Sequence, residues 1–184
     1  MGRAYKAKRI FLALSIGVGF ISAIGVFFIP QKIAEIFYHD ASIWMILVPK
    51  SAHLMYGIGF FFITVALLAI ALLNLKKQSF ILGAGLVLLS IIPFYLGSQG
   101  YIIFSHESIS FSYPLSTDKY EYGWQDLKEI NYFEPTGNER GQYVFTFHDQ
   151  NELSLEDNLY FSDLIAPLFA KLDSINLKIE RAAN

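Results

Sequence analysis

The sequence predicts a membrane protein of the α + β class, with three transmembrane helices plus an interfacial helix, followed by a C-terminal antiparallel β-domain closed by one amphipathic helix. Two observations predict this fold. Residues 1–100 hold three long apolar runs and eight Lys/Arg against two acids, whereas residues 101–184 hold fourteen acids against six Lys/Arg. Beyond residue 100, the hydrophobic period changes from helical to two, which is typical of half-buried strands.

A basic segment, residues 1–9, precedes the first predicted span at residues 10–29, and two more spans are predicted at 52–75 and 79–97. About 20 apolar residues are needed to cross a ~30 Å hydrocarbon core. A surface helix would show a polar stripe, which these runs lack. Three such runs within 100 residues favour a multi-pass membrane domain over residues 10–99, rather than buried helices of a soluble protein. We interpret the first run as an uncleaved anchor.

Small residues recur every four positions in the first span, at Ser15, Gly19 and Ala23. This spacing places them on one helix face, and in lipid such a face lets another helix approach closely. The alternative is the ordinary use of small residues in membrane helices.

Residues 31–50 lie between the first two spans and are too short for a span of their own. Ile33, Ile36 and Phe37 have helical spacing, and an apolar run containing Trp44 follows. Amphipathic character with aromatic residues predicts a helix lying in the membrane interface. A short re-entrant segment is the alternative.

The distribution of Lys and Arg predicts the orientation. Six basic residues lie in the N-terminal segment and the turn at Lys76 and Lys77, against two in residues 31–50. The positive-inside rule then predicts a cell-membrane protein with a cytoplasmic N-terminus. Three spans would make the C-terminal domain extracytoplasmic, and a full crossing by residues 43–48 would reverse that.

The C-terminal domain, residues 100–184, shows strand alternation followed by a helical stripe. Strands are predicted around residues 108–113, 119–124, 143–148 and 152–155, separated by turn-forming residues. The stripe has the spacing of one apolar helix face. Its members are Phe161, Leu164, Ile165, Leu168 and Leu172. The helix is expected to cover the sheet, so the domain is expected to fold alone.

The stretch Tyr122-Gly123-Trp124-Gln125-Asp126-Leu127-Lys128-Glu129-Ile130, with the strands around it and the terminal helix, resembles a bacterial pleckstrin-homology-like domain, as in the YcxB-like group of small membrane proteins. The resemblance covers about residues 100–175. It implies the fold. We predict structural or interaction roles for Trp124 and Tyr122 from the strand pattern, and for Phe161, Leu164 and Leu168 from the helical stripe. Such domains are often cytoplasmic, whereas the charge count predicts the opposite side. Phosphoinositide binding is not expected, because the loops lack a Lys/Arg cluster.

Few residues suggest chemistry. The chain has no Cys, which excludes thiol catalysis and disulfides. His39, Asp40 and His53 are weak candidates for a zinc site, and interfacial polar residues are the simpler interpretation. No catalytic arrangement, cofactor motif or basic surface for nucleic acid is found in the sequence.

Two functions remain open. The first is a non-enzymatic membrane protein whose β-domain binds a membrane or envelope protein, or a second copy of itself, in a scaffolding, regulatory or envelope-stress/immunity role. The second is a small oligomeric transporter, or an accessory subunit of a transport complex, that uses the helices and the residues around His39 and His53.

Overall fold

A computed structural model describes residues 2–73, 75–135, 137, 140–157 and 159–182, with the backbone alone at 2–4 and 159–164. Its helices are α1 (Gly2–Phe37), α2 (Lys50–Leu72), α3 (Lys77–Ser98) and α4 (Leu159–Ser174). A 3-10 turn covers Trp124–Asp126. The strands are β1 (Ile43–Leu47), β2 (Tyr101–Ser105), β3 (Ser108–Ser112), β4 (Lys119–Gly123), β5 (Leu127–Phe133), β6 (Gln142–Phe147), β7 (Glu152–Glu156) and β8 (Ile179–Ala182).

The chain divides into two compact units that do not follow one cut in the sequence. The helical unit contains residues 1–38, 48–101 and 112–117, and the β unit contains residues 39–47, 102–111 and 118–184. The predicted boundary at residue 100 therefore describes most of the β unit and misses its first strand.

Three helices of the helical unit are long and apolar enough to cross a membrane, as predicted. Their outward faces carry large apolar side chains, such as Phe20, Phe61 and Leu88, each more than 60% exposed. Exposed apolar surface of this kind suits contact with lipid.

The first helix is longer than its predicted span and continues through Pro30 to Phe37. Proline lacks an N–H group and removes one intrahelical hydrogen bond, which is why the sequence indicated an end there. In membrane helices, neighbouring helices can supply the lost bond. The extra turns show that Pro30 is an interior residue of α1.

The prediction of an interfacial or re-entrant segment over residues 31–50 is wrong. Residues up to Phe37 belong to α1, and Ile43–Leu47 form strand β1 in a sheet of the β unit. Five consecutive apolar residues are compatible with a buried strand as well as with an interfacial helix, and periodicity alone does not separate the two.

Helix α2 packs against both α1 and α3. Its contact with α3 has a regular antiparallel register at glycines: a Cβ atom on Gly59, Gly83 or Gly97 would lie within 3 Å of Phe94, Ile70 and Tyr56, respectively. The three glycines therefore leave room for the large side chains of the facing helix, as expected between membrane helices.

The small residues of α1 are only partly arranged as predicted. Ser15 is buried and Gly19 lies near Thr64 of α2, but Ala23 is exposed. A four-residue spacing drifts around a helix of 3.6 residues per turn, whereas a seven-residue spacing stays on one face. The buried face accordingly passes through Ser15 and Ser22, so the predicted stripe is not one continuous contact.

The β unit consists of two four-stranded sheets, in the orders β1-β2-β3-β4 and β7-β6-β5-β8. The pairings of β1 with β2, β5 with β6, and β6 with β7 are antiparallel. Strand β8 was not predicted and runs parallel to β5, so the expectation of an all-antiparallel domain is wrong at this edge.

The β unit has a core of aromatic and aliphatic side chains from both sheets and from α4. Leu168 and Leu172 of α4 are fully or almost fully buried, as the stripe predicted. Phe161 and Leu164 lie in α4, but their side chains fall outside the described part of the structure. Side chains with no measurable exposure include Phe104, Ile109, Ile130, Phe145, Phe147 and Leu153.

Candidate functional site

An open groove of about 690 Å³ lies in the β unit, formed by β5, β6, β8 and the end of α4. Its volume falls in the range of small-ligand pockets. It is lined by Tyr132, Tyr143, Phe169, Ala170, Leu172, Asp173, Leu177, Lys178, Ile179 and Arg181.

Two tyrosines form the floor of the groove. Tyr132 of β5 and Tyr143 of β6 are direct cross-strand partners, and their ring centroids lie 4.6 Å apart. They continue the face that begins with the buried pair Ile130 and Phe145, because side chains two residues apart point to the same side of a strand. The groove is therefore an uncovered extension of the core.

The Tyr132 hydroxyl lies close to the backbone at Gly141, where a Cβ atom would stand 2.5 Å from it. The same hydroxyl donates a long, 3.4 Å hydrogen bond to Oδ2 of Asp157. A side chain at Gly141 would displace the ring, so this glycine fixes one wall of the groove.

Desolvation, and then the charge of Asp157, raise the pKa of both Tyr132 and Tyr143. A phenol with a raised pKa stays protonated at neutral pH. These hydroxyls can therefore donate and accept hydrogen bonds, but they are poor nucleophiles.

The rim combines apolar surface with charges of both signs. The Phe169 ring on α4 is 51% exposed. Arg181 of β8 lies opposite Tyr132 in the sheet register, and its Nη1 atom is 3.8 Å from Oε1 of Glu134. Lys178 and Asp173 complete the charged rim. An exposed aromatic ring beside apolar walls and a charged rim resembles the anatomy of protein-binding surfaces.

Trp124, a predicted structural or interaction residue, is a core residue with 2% exposure. Its Nε1 donates to the Ser105 carbonyl at 3.0 Å, and its ring stacks on Trp44 of β1 with 5.7 Å between centroids. The Lys171 ammonium lies 5.7 Å from the Trp124 ring centroid and donates to the His106 carbonyl. These contacts favour the structural role.

Tyr122 is half-buried and links β4 to the turn between β6 and β7. Its ring stacks on Phe147 at 3.9 Å, and its hydroxyl donates to Oδ2 of Asp149 at 2.7 Å. Asn151 donates to both oxygens, which closes a triangle of hydrogen bonds. The hydrogen bond from Tyr122 is the main cause that lowers the pKa of Asp149.

The three weak metal candidates have other partners or surroundings. Asp40 accepts hydrogen bonds from the backbone N–H and the hydroxyl of Ser42. His53 Nδ1 lies 2.8 Å from the Val26 carbonyl oxygen, and His39 is an exposed residue of the connection between α1 and β1. Within the described ranges, no group of three or more His, Cys, Asp or Glu could hold a metal ion.

The groove was not predicted from the sequence. Tyr143 lies on a strand that alternation predicted, whereas Tyr132 lies on β5, which alternation did not predict, and Lys178 and Arg181 follow the predicted helix. One signal could have indicated the groove. Phe169 is a large aromatic residue of the predicted helix that does not belong to its apolar stripe, and a strand follows this helix.

Comparison with protein-family models and with curated proteins gave no match to this chain.

Proposed function

We propose that this chain is a non-enzymatic membrane protein whose β unit binds another protein, or a second copy of itself, through the groove. The half-exposed Phe169 beside the Tyr132–Tyr143 floor carries this proposal. Aromatic side chains in apolar pockets supply most of the binding energy at protein interfaces, and charges at the rim favour particular partners. The resemblance to pleckstrin-homology-like domains is part of the proposal, and the two sheets followed by α4 support it.

A photo-crosslinking amino acid tests the groove in living cells. At Phe169 it should give a specific higher-mass adduct, because the ring stands at the centre of the proposed interface. The matched control is Lys128, which is exposed on β5 but does not line the groove. Ala170→Arg, which fills the groove, should remove the Phe169 adduct.

An adduct at twice the mass of the chain would identify a second copy as the partner. Equal adducts at Phe169 and Lys128, or no adduct at Phe169, would refute the groove as the binding surface.

We also propose a cell-membrane location with the N-terminus in the cytoplasm and the β unit outside. The pairing of β1 with β2 supports the number of crossings. Strand β1 follows α1 and β2 follows α3, so their pairing requires both to emerge on the same side. Three crossings by α1, α2 and α3 satisfy that condition, and Lys/Arg counts choose the side.

Single cysteines in this Cys-free chain test the arrangement. Exposed positions are available at Ala41 before β1, at Gln78 in the first turn of α3, and at Lys128 in β5. An impermeant maleimide should label cysteines at 41 and 128 in intact cells, and a cysteine at 78 only after permeabilisation.

The opposite result at all three positions would refute the proposed side and keep the three crossings. Different labelling of positions 41 and 128 would contradict the crossings themselves, because these two positions must share a side.

The transporter alternative receives no specific support. It depended on His39, Asp40 and His53, and the contacts of Asp40 and His53 are to Ser42 and to a backbone carbonyl.

A further inference from the structure

His53 of α2 lies close to a backbone carbonyl of α1 that lacks its usual hydrogen-bond donor, because Pro30 has no N–H. In an α-helix the N–H of residue i+4 donates to the carbonyl of residue i. The usual donor to Val26 is therefore residue 30, which is Pro30 and has no N–H. His53 Nδ1 stands 2.8 Å from this same Val26 oxygen.

The chemistry fixes the direction of this hydrogen bond. A carbonyl oxygen only accepts, so Nδ1 carries the hydrogen and donates. An unpaired backbone carbonyl is costly within an apolar helix bundle, because no water is present to bond it. His53 is half-buried, and Gly57, one turn further along α2, faces Val26, whose Cγ2 atom would lie 3.9 Å from a Cβ atom at this glycine.

We propose that Pro30 is a hinge in α1 and that the hydrogen bond from His53 to the Val26 carbonyl holds this hinge in one conformation. We call this hydrogen bond the lock. The hydrogen bond replaces the missing one and ties α1 to α2 at the point where α1 is weakest. Residues 31–37 beyond the hinge form the last turns of α1, and residues 38–42 connect them to β1. The lock therefore holds the parts of α1 before and after Pro30 in one arrangement against α2.

A double-mutant cycle in the full-length protein in mild detergent tests the lock. His53→Leu removes the donor and introduces an apolar side chain of similar size. It should lower the midpoint of helix unfolding by about 2–4 °C, the shift expected for one hydrogen bond in a chain of this length. In the Pro30→Ala background, the backbone N–H restored at position 30 donates to the Val26 carbonyl. His53→Leu should then change the midpoint of helix unfolding only slightly.

His53→Asn is the matched rescue variant, because its amide nitrogen lies at the same number of bonds from Cα as Nδ1. It should retain most of the wild-type midpoint. Helical circular dichroism on heating measures all variants.

An equal loss from His53→Leu in both backgrounds would overturn the proposal, and so would an Asn variant no better than Leu. If His53→Leu fails to fold with Pro30 present, recovery of folding by Pro30→Ala supports the lock, and failure in both backgrounds refutes it. Neither outcome depends on the groove or on a binding partner.

Discussion

A fragment that begins at Tyr101 is expected not to fold, although it contains strands β2 to β8 and helix α4. Every residue of β2 is buried, and β2 pairs with β1 from Ile43↔Ser105 to Leu47↔Ile102. The fragment would expose one edge of β2 and uncover the Trp124 ring, which stacks on Trp44. An exposed apolar strand edge favours aggregation.

The expected loss is comparable with the whole stability of a domain. Each strand hydrogen bond contributes about 0.5–1.5 kcal/mol, and each large apolar side chain about 1.5–3 kcal/mol. Strand β1 supplies several of both, among them Ile46, which is 9% exposed. Typical domains are stable by about 5–15 kcal/mol.

A second fragment, matched to the first, restores β1. Because β1 and β2 are antiparallel neighbours and Leu47 lies opposite Ile102, a short Asn-Gly turn can join residue 48 to residue 101 in place of α2 and α3. This fragment should be monomeric and unfold cooperatively. The same fragment with Ile46→Pro should not, because the substitution removes a buried side chain of β1 and proline is disfavoured within strands.

Size-exclusion chromatography and thermal circular dichroism compare the three fragments. If the fragment that begins at Tyr101 and lacks β1 unfolds cooperatively, β1 is dispensable. That result would confirm the independently folding domain expected from the sequence.

The features predicted from the sequence are those with a local signature. Uniform apolar runs gave the three long helices, and alternation gave β3, β4, β6 and β7, because both patterns follow from the period of one element. Strand β1 lacks such a pattern: Ile43–Leu47 are all apolar, and their partner strand follows two intervening helices. Its assignment depends on a tertiary pairing that no local window contains.

Three other features lay beyond prediction for related reasons. Strand β8 includes Glu180 and Arg181, and its parallel partner β5 is distant in the sequence. The groove depends on how far α4 covers the sheet. The partner of His53 is a backbone carbonyl, which no residue type marks, although an interior Pro30 in an apolar helix predicts that some donor is required.

Replacement of Trp124 by alanine is expected to be among the most destabilising single changes in the β unit. Trp124 is 2% exposed and contacts Phe104, Trp44 and Lys171. Truncating a buried aromatic residue costs about 3–5 kcal/mol, because apolar contacts are lost and a cavity remains. Chemical denaturation of the full-length protein in detergent, followed by near-ultraviolet circular dichroism, measures the loss.

The two tryptophans offer a sharper comparison, because they stack on each other and differ in one hydrogen bond. Trp124 Nε1 donates to Ser105, whereas Trp44 Nε1 is buried without a hydrogen-bond partner among the described residues. Phenylalanine keeps an aromatic ring at each site and removes the N–H. Trp124→Phe should therefore destabilise by about 1–2 kcal/mol more than Trp44→Phe, since only the former breaks an existing bond.

Fluorescence follows each variant conveniently, because the chain has two tryptophans and both belong to the β unit. Each Trp→Phe variant leaves the other tryptophan as the only reporter, and its unfolding transition gives the stability directly. If Trp124→Ala unfolds at the wild-type denaturant concentration, the Trp124 ring does not support the core. It would then be better explained as a binding residue, in competition with the groove at Phe169.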